Sequence, residues 1–335
     1  MTADAPAARL AEFLDARGTT PERLLASVET SFGTPLLVVA TGSVLHGFGN
    51  ERSDLDLNVV VDRDTVKVVP IPAFEGDLLV DTKFFTVSQL REWTTELRDG
   101  RWPPAGHLTR DGYRRRHLLL FHCMRFAEGV ELSSTDGSEP LIGDLHEPWL
   151  VGRVVEWWRA EQVRWSLAAR WLADAKPLVA AQRWCEAVLA ALECRVARAG
   201  ESYFKPKWIS EKLRRLGDEE GLAMLEAALR VPTTRHEAPA YSARCEELLQ
   251  ELDPHRQEGL AAQLWYAPGV TVQPLGTGTL VTRRQLRGLE LEAKLPIPDE
   301  DEPIWEGPVE DTPDSDVLEL FVEDMTWLSV VASEA

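Results

Sequence analysis

The sequence predicts an α+β protein: a mixed sheet with helices, then an α-helical bundle, then a small C-terminal β-containing extension. Three observations carry that expectation. Short apolar runs bounded by turn residues fill the first third of the chain (Leu36–Ala40, Leu55–Val61, Leu78–Phe85). Long helical patterns follow, with seven of the twelve tryptophans between Trp149 and Trp208. From Gly269 onward the pattern returns to short strands rich in valine and threonine.

Taken in order, Ala7–Leu14 spaces its apolar residues as a short amphipathic helix, and Pro21 suits the first position of a second one. Leu36–Ala40 reads as a buried strand ended by Thr41-Gly42-Ser43, and a helix or turn carries the chain to Arg52. Leu55–Val61 is a second strand and Leu78–Phe85 a third, while 88–97 and 114–126 read as helices. The bundle takes helices over 150–175, 177–199, 206–216, 218–230 and 239–252. Trp158, Trp165 and Leu172, seven residues apart, share one helical face and read as packed core. Strands are expected at 270–272, 278–282 and 289–295, an acidic loop over Asp299–Asp316, and one apolar element from Val317 to Val331. The expected domains are residues 1–147, 148–262 and 263–335.

At 335 residues with 44% hydrophobic composition, the chain can bury a sizeable core. No run approaches the roughly 20 apolar residues of a membrane helix, and Met1–Leu10 lacks a signal-peptide pattern, so a cytoplasmic protein with no membrane partner is expected. Cys123, Cys185, Cys194 and Cys245 form no C-x-x-C pair and read as reduced core thiols. The formal net charge is −19, and the 13 acidic residues after Leu295, unaccompanied by Lys or Arg, supply most of it. Without a basic excess, a long nucleic acid is a poor partner, because phosphate contacts need Lys and Arg in number.

The chemistry concentrates in Thr41–Leu57. Asp54 and Asp56 stand two apart at the head of a strand, so both carboxylates project from one face. An antiparallel partner strand with Asp81 opposite Asp56 puts Val59 against Leu78 and leaves 62–76 as a long connection, in which 66–69 offers material for a further strand. Three carboxylates then converge within a few ångströms, where repulsion has to be relieved by protons or cations. An all-oxygen set suits Mg²⁺, and paired ions assist in-line displacement at phosphorus. Asp77 competes as the third carboxylate, but it closes the turn-like Glu75-Gly76-Asp77, whereas Asp81 sits centrally in Val80-Asp81-Thr82-Lys83-Phe84. Upstream, Gly42 lets backbone approach a ligand, and Ser43 with the following backbone N–H groups favours anionic oxygens.

Gly42-Ser43, nine intervening residues, Ser53-Asp54-Leu55-Asp56-Leu57 and a later strand centred on Asp81 resemble the nucleotidyltransferases of the DNA polymerase β superfamily, most nearly the small bacterial antibiotic-type enzymes. The likeness spans residues 35–86. It implies a polymerase-β-like nucleotidyltransferase sheet and transfer of an NMP group from an NTP, with ATP as the leading donor and release of pyrophosphate. Two Mg²⁺ ions would be held by Asp54 and Asp56, with Asp81 completing the metal site and accepting the acceptor's proton. Gly42 and Ser43 would bind the β- and γ-phosphates. A second, weaker likeness, Tyr203-Phe204-Lys205-Pro206-Lys207-Trp208-Ile209, implies triphosphate contacts from Lys207 and Lys205. The favoured acceptor is a hydroxyl of a small molecule. Transfer to a protein or an RNA end, and nucleotide binding without turnover by a sensor or scaffold, are the alternatives. His46, Arg52 and Arg114–Arg116 are lesser candidates with ordinary structural explanations.

Overall fold

A computed structural model of the chain describes residues 5–63, 66–135, 143–146, 148–284, 286–299 and 302–333. The chain divides into two compact units, Met1–Gly100 with His117–Gly152, and Arg101–Arg116 with Arg153–Ala335. The start of the chain and the middle of the acidic segment, 300–301, lie outside the described residues.

The first unit is a mixed sheet between helices. Its strands are β1 (Leu37–Thr41), β2 (Leu55–Val61), β3 (Ile71–Glu75), β4 (Leu78–Thr86) and β5 (Val130–Ser134), in the order β3-β4-β2-β1-β5. Helix α1 (Ala5–Asp15) and helix α2 (Pro21–Phe32), the latter capped by Thr20, lay Leu10, Leu14, Leu24 and Val28 on one face of the sheet. There they meet Val38, Ala40, Leu57, Val59, Val80 and Phe84, the alternate positions that a period of two assigns to one side. Helix α3 (Val87–Asp99) starts at a capping box made by Thr86 and Gln89. Helix α4 (Arg110–Ala127) follows it, and the unit division falls within α4. Phe85, of the opposite face, is fully buried and meets Trp93 of α3 and His122 and Phe126 of α4 edge-on, at 5.1–5.8 Å between ring centroids.

One expectation about the sheet is corrected. Asp56 does pair with Asp81, but β2 and β4 run parallel, so Val59 faces Phe84 rather than Leu78. The cause is β3. The chain leaves β2 for the sheet edge, returns as β3, and turns through Glu75-Gly76-Asp77 into β4, which lies between β3 and β2. That edge strand begins at Ile71, beyond the 66–69 run. It is exposed along most of its length and contains Pro72, which suits an edge and hides the strand from hydrophobic patterning.

In the second unit, five helices follow in sequence: α5 (Pro148–Leu172, whose first turn lies in the first unit), α6 (Pro177–Arg198), α7 (Ile209–Leu216), α8 (Glu219–Leu229) and α9 (Ala238–Leu252). Small residues on α6, among them Ala187 and Ala191, share a core with Leu213, Leu225, Ala228 and Leu249 from α7, α8 and α9. Glu193 of α6 and Lys212 of α7 form a buried ion pair at 2.6 Å. Helix α5 is not a one-stripe element. Ala169 belongs to the core shared with α6–α9, whereas Val163, Leu167 and Trp171 pack on a three-stranded sheet of β10 (Trp305–Pro308), β6 (Leu260–Tyr266) and β11 (Thr326–Ala332).

Three differences from the sequence reading lie here. Strand β6 begins at Leu260, inside the span read as helical. Strand β10 interrupts the acidic segment. The stretch read as one apolar element is a helix, α10 (Ser315–Val322), followed by β11, with Asp324 at φ 58° between them. A second three-stranded sheet, β7 (Val270–Pro274), β8 (Thr279–Arg283) and β9 (Arg287–Leu291), lies where strands are expected. All four cysteines are free and buried, as expected of core thiols. Among the described residues no helix is long and apolar enough to cross a membrane.

Because Phe85 joins β4 to both α3 and α4, Phe85→Ala is expected to lower stability by about 3–5 kcal/mol. A shift of the urea midpoint at unchanged slope measures it.

Candidate functional site

The site follows from register. Thr41 pairs with Asp56, and Asp56 with Asp81, so one row of side chains crosses β1, β2 and β4 on the same face of the sheet. Asn58 and Lys83 form the next row on that face, themselves a register pair. Adjacent strands lie about 4.8 Å apart, which makes the Asp56 and Asp81 side chains neighbours. Asp54 lies just before β2 and is exposed. Asp77 sits in the β3–β4 turn, away from the row.

Asp56 is sheltered, its side chain 16% exposed, and it is held from two sides. Lys83 Nζ donates to Oδ1 at 3.1 Å, and Arg125 Nη2 lies 2.5 Å from Oδ2. Arg125, 8% exposed in the last turn of α4, also donates through Nε and Nη2 to Thr41 Oγ1 at 3.0 and 2.7 Å. One guanidinium therefore ties the ends of β1 and β2 together. Burial pushes the Asp56 carboxyl up, but Arg125 and Lys83 outweigh it and hold the carboxyl below the usual carboxylate range. Among the described residues the side chain of neither Asp54 nor Asp81 makes a hydrogen bond or ion pair. Asn58 is fully buried, and neither atom of its carboxamide has a hydrogen-bond partner among the described residues.

Gly42 follows Thr41 with φ 109°, a left-handed value that favours glycine. A Cβ there would stand 2.7 Å from Asp56 Oδ2, so the turn and the carboxylate occupy adjoining space that only hydrogen leaves open. After it the chain makes a turn rather than a helix. The Ser43 carbonyl accepts from the N–H groups of Phe48 and Gly49, and Val44, Leu45 and Phe48 are buried beneath. Gly49 packs against Val44, where a Cβ would be 2.9 Å from its Cα. Arg9 Nη1 donates to the Leu45 carbonyl at 2.9 Å, which fixes the turn to α1. His46, buried in the same turn, lies 3.7 Å from Glu128.

The structure thus brings Gly42, Asp56 and Asp81 together, with Ser43 next in the chain and Asp54 at the strand head. Lys205 and Lys207 belong to the second unit. Lys207 is exposed in the 3-10 turn Pro206–Trp208, its ammonium 5.1 Å from the Trp208 ring, and Lys205 is half-buried. Arg114 is within 3.9 Å of Asp111 at the surface, and Arg116 donates to the Arg101 carbonyl. Sequence reasoning missed Lys83 and Arg125 as site residues. Lys83 had a usable signal, since Asp81 and Lys83 are two apart in one strand. Arg125 had none, being 69 residues from Asp56 on another element.

The carboxylates have the right donor chemistry for Mg²⁺. The arrangement as folded does not gather them, however. Among the described residues no three carboxylate, imidazole or thiol side chains come together as a metal-binding group, and both oxygens of Asp56 are taken by cations. A two-ion cluster on three carboxylates does not fit this arrangement.

No family model matches the chain, and no curated protein matches it significantly. Among solved structures it is similar to a nucleotidyltransferase-like protein from Exiguobacterium sibiricum, with 15% identity and a TM-score of 0.41 over 70% of this chain and 75% of that one.

Removing the Asp56 charge leaves two sheltered cations without an anion. Asp56→Asn is therefore expected to cost about 3 kcal/mol at neutral pH. A carboxyl whose folded pKa is depressed contributes stability that is complete above its unfolded value and is lost as pH falls through the folded one. In urea unfolding, the gap between wild type and Asp56→Asn should hold from pH 7 to about 5 and close in stronger acid. A gap unchanged down to about pH 2 contradicts the ion-pair account.

Proposed function

We propose that the first unit binds a nucleoside triphosphate and transfers its NMP group to an acceptor hydroxyl, releasing pyrophosphate. What supports this reading is one juxtaposition: the left-handed Gly42 turn pressed against Asp56, with Asp81 beside Asp56 in register. The donor is an NTP, ATP favoured, carried as its Mg²⁺ complex, and the acceptor is a small molecule.

The chain's own residues have distinct tasks in this reading. The turn after Gly42, with the Ser43 hydroxyl, receives the β- and γ-phosphates. Asp56 with Arg125 and Thr41 holds the turn and strand in place. Asp81, a half-buried carboxylate with no ion pair among the described residues, takes the proton of the attacking hydroxyl. A bond forms between the acceptor oxygen and the α-phosphorus, the bond from that phosphorus to the bridging oxygen breaks, and pyrophosphate departs.

A second reading is nucleotide binding without turnover. The pairing of Asp56 with two fixed cations favours it, because that carboxylate has no free oxygen to offer. One assay separates the two. With α-labelled NTP, Mg²⁺ and an acceptor screen, the wild type should move label to an acceptor. Asp81→Asn should slow transfer at least about 100-fold with the melting temperature unchanged. Nucleotide binding equal in both proteins, with no label moved by either, supports the silent reading instead. Asp81→Asn is the cleaner variant, since Asp56→Asn also removes an ion-pair partner.

A further inference from the structure

The heptad-spaced residues expected as packed core divide in the structure. Trp158 is buried, whereas Trp165 is only half-buried and, with Leu172, lines a cavity of about 270 Å³. Small-molecule sites begin at about that size, near 300 Å³. Every residue lining the cavity belongs to the second unit, on α5, α6, α10, β11 and the links between them.

Apolar surface is the larger share of the wall, from Trp165, Phe321 and Trp327 and from the aliphatic Leu172, Val179 and Leu328. Three cations, Arg164, Lys176 and Arg183, stand against one carboxylate, Asp324. Two of the cations are already engaged. Arg164 is held by both oxygens of Glu161, at 2.8 and 3.0 Å, and also donates to the Tyr113 hydroxyl. Lys176 donates to the Val322 carbonyl and stands 3.9 Å from both Glu323 and Asp324. Arg183 is different. Its Nη1 donates to Glu186 at 2.7 Å and its guanidinium lies 4.8 Å from the centre of the Trp165 ring, but Nε and Nη2 make no hydrogen bond among the described residues. Thr326 is a second group with capacity to spare. It lines the cavity, is 9% exposed, and its buried hydroxyl has no hydrogen-bond partner among the described residues. Such a group carries a cost until a partner arrives.

We infer that this cavity binds a small planar aromatic carboxylate. The ring system packs among Trp165, Phe321 and Trp327, the carboxylate accepts from the free N–H groups of Arg183, and the Thr326 hydroxyl donates to a ligand oxygen. A guanidinium fork suits the two oxygens of a carboxylate, and its stacking on Trp165 fixes the plane in which they are met. A cationic ligand would meet three like charges against one carboxylate, and a polymer exceeds the volume. Binding changes no covalent bond. The inference goes beyond the nucleotidyl-transfer reading and does not rest on it.

The test is titration calorimetry on the full chain with 2-naphthoate as the probe. Wild type should bind one molecule per chain, and the neutral 2-naphthamide about tenfold more weakly. Arg183→Met should lower naphthoate affinity about tenfold and leave naphthamide affinity unchanged, which shows the cavity intact. Thr326→Val, equal in shape, should weaken naphthoate binding several-fold without lowering the melting temperature, because it removes a buried group that has no partner in the free chain. Thr326→Ser should keep the wild-type affinity. Octanoate, of the same charge on a flexible chain, should bind more weakly than naphthoate; equal or tighter binding overturns the aromatic assignment. Absence of saturable naphthoate binding at millimolar concentration overturns the inference, as does binding that neither Arg183→Met nor Thr326→Val changes.

Discussion

Asp56 places a charge where the sheet, the Gly42 turn and α4 meet, and the rest of the first unit is arranged around keeping that charge. An isolated carboxylate so sheltered would be expected to neutralise by taking a proton. Arg125 and Lys83 prevent this, and their cost of burial is offset in turn by the same carboxylate and by Thr41. The arrangement is mutual, so removal of one member exposes the others to an uncompensated charge. It also sets the backbone, because Gly42 can approach only as a glycine while Asp56 stands where it does.

The packing on either side of the sheet explains why this polar row survives in a protein core. One face is closed by α1 and α2 over aliphatic side chains. The other is closed by α3 and α4 around Phe85, and the Asp56–Asp81 row lies at β-strand positions four residues before Val60 and Phe85 on that same face. Apolar packing holds the strands in register, and register holds the carboxylates side by side. A slip of one residue would send the acidic row into the aliphatic layer, where it has no cation to meet.

Much of this was legible in the residues. The runs Leu36–Ala40, Leu55–Val61 and Leu78–Phe85 announced three strands because each is apolar and bounded by turn residues, and Asp54-Leu55-Asp56 placed its acids by the period of two. The pairing of Asp56 with Asp81 was also readable, but the direction of β4 was not. Direction depends on β3, whose Ile71, Pro72, Ala73 and Phe74 are exposed and leave no buried pattern. Likewise nothing local to α4 encodes a partner on β2, so Arg125 carries no signal of its role in the sequence. Asn58 carries no signal in the sequence, and only its burial shows that its carboxamide has no hydrogen-bond partner among the described residues. In the second unit, β6 was hidden because Leu260–Trp265 is apolar enough to serve as either helix or strand; its pairing with β10 and β11 decides the matter.

The most direct test is a crystal structure with a non-hydrolysable NTP analogue. The account predicts terminal phosphates within about 3 Å of the Ser43 hydroxyl and the backbone that follows Gly42, with the α-phosphorus on the Asp81 side of the row. A nucleotide seated elsewhere, with the Gly42 turn and both carboxylates untouched, would contradict it.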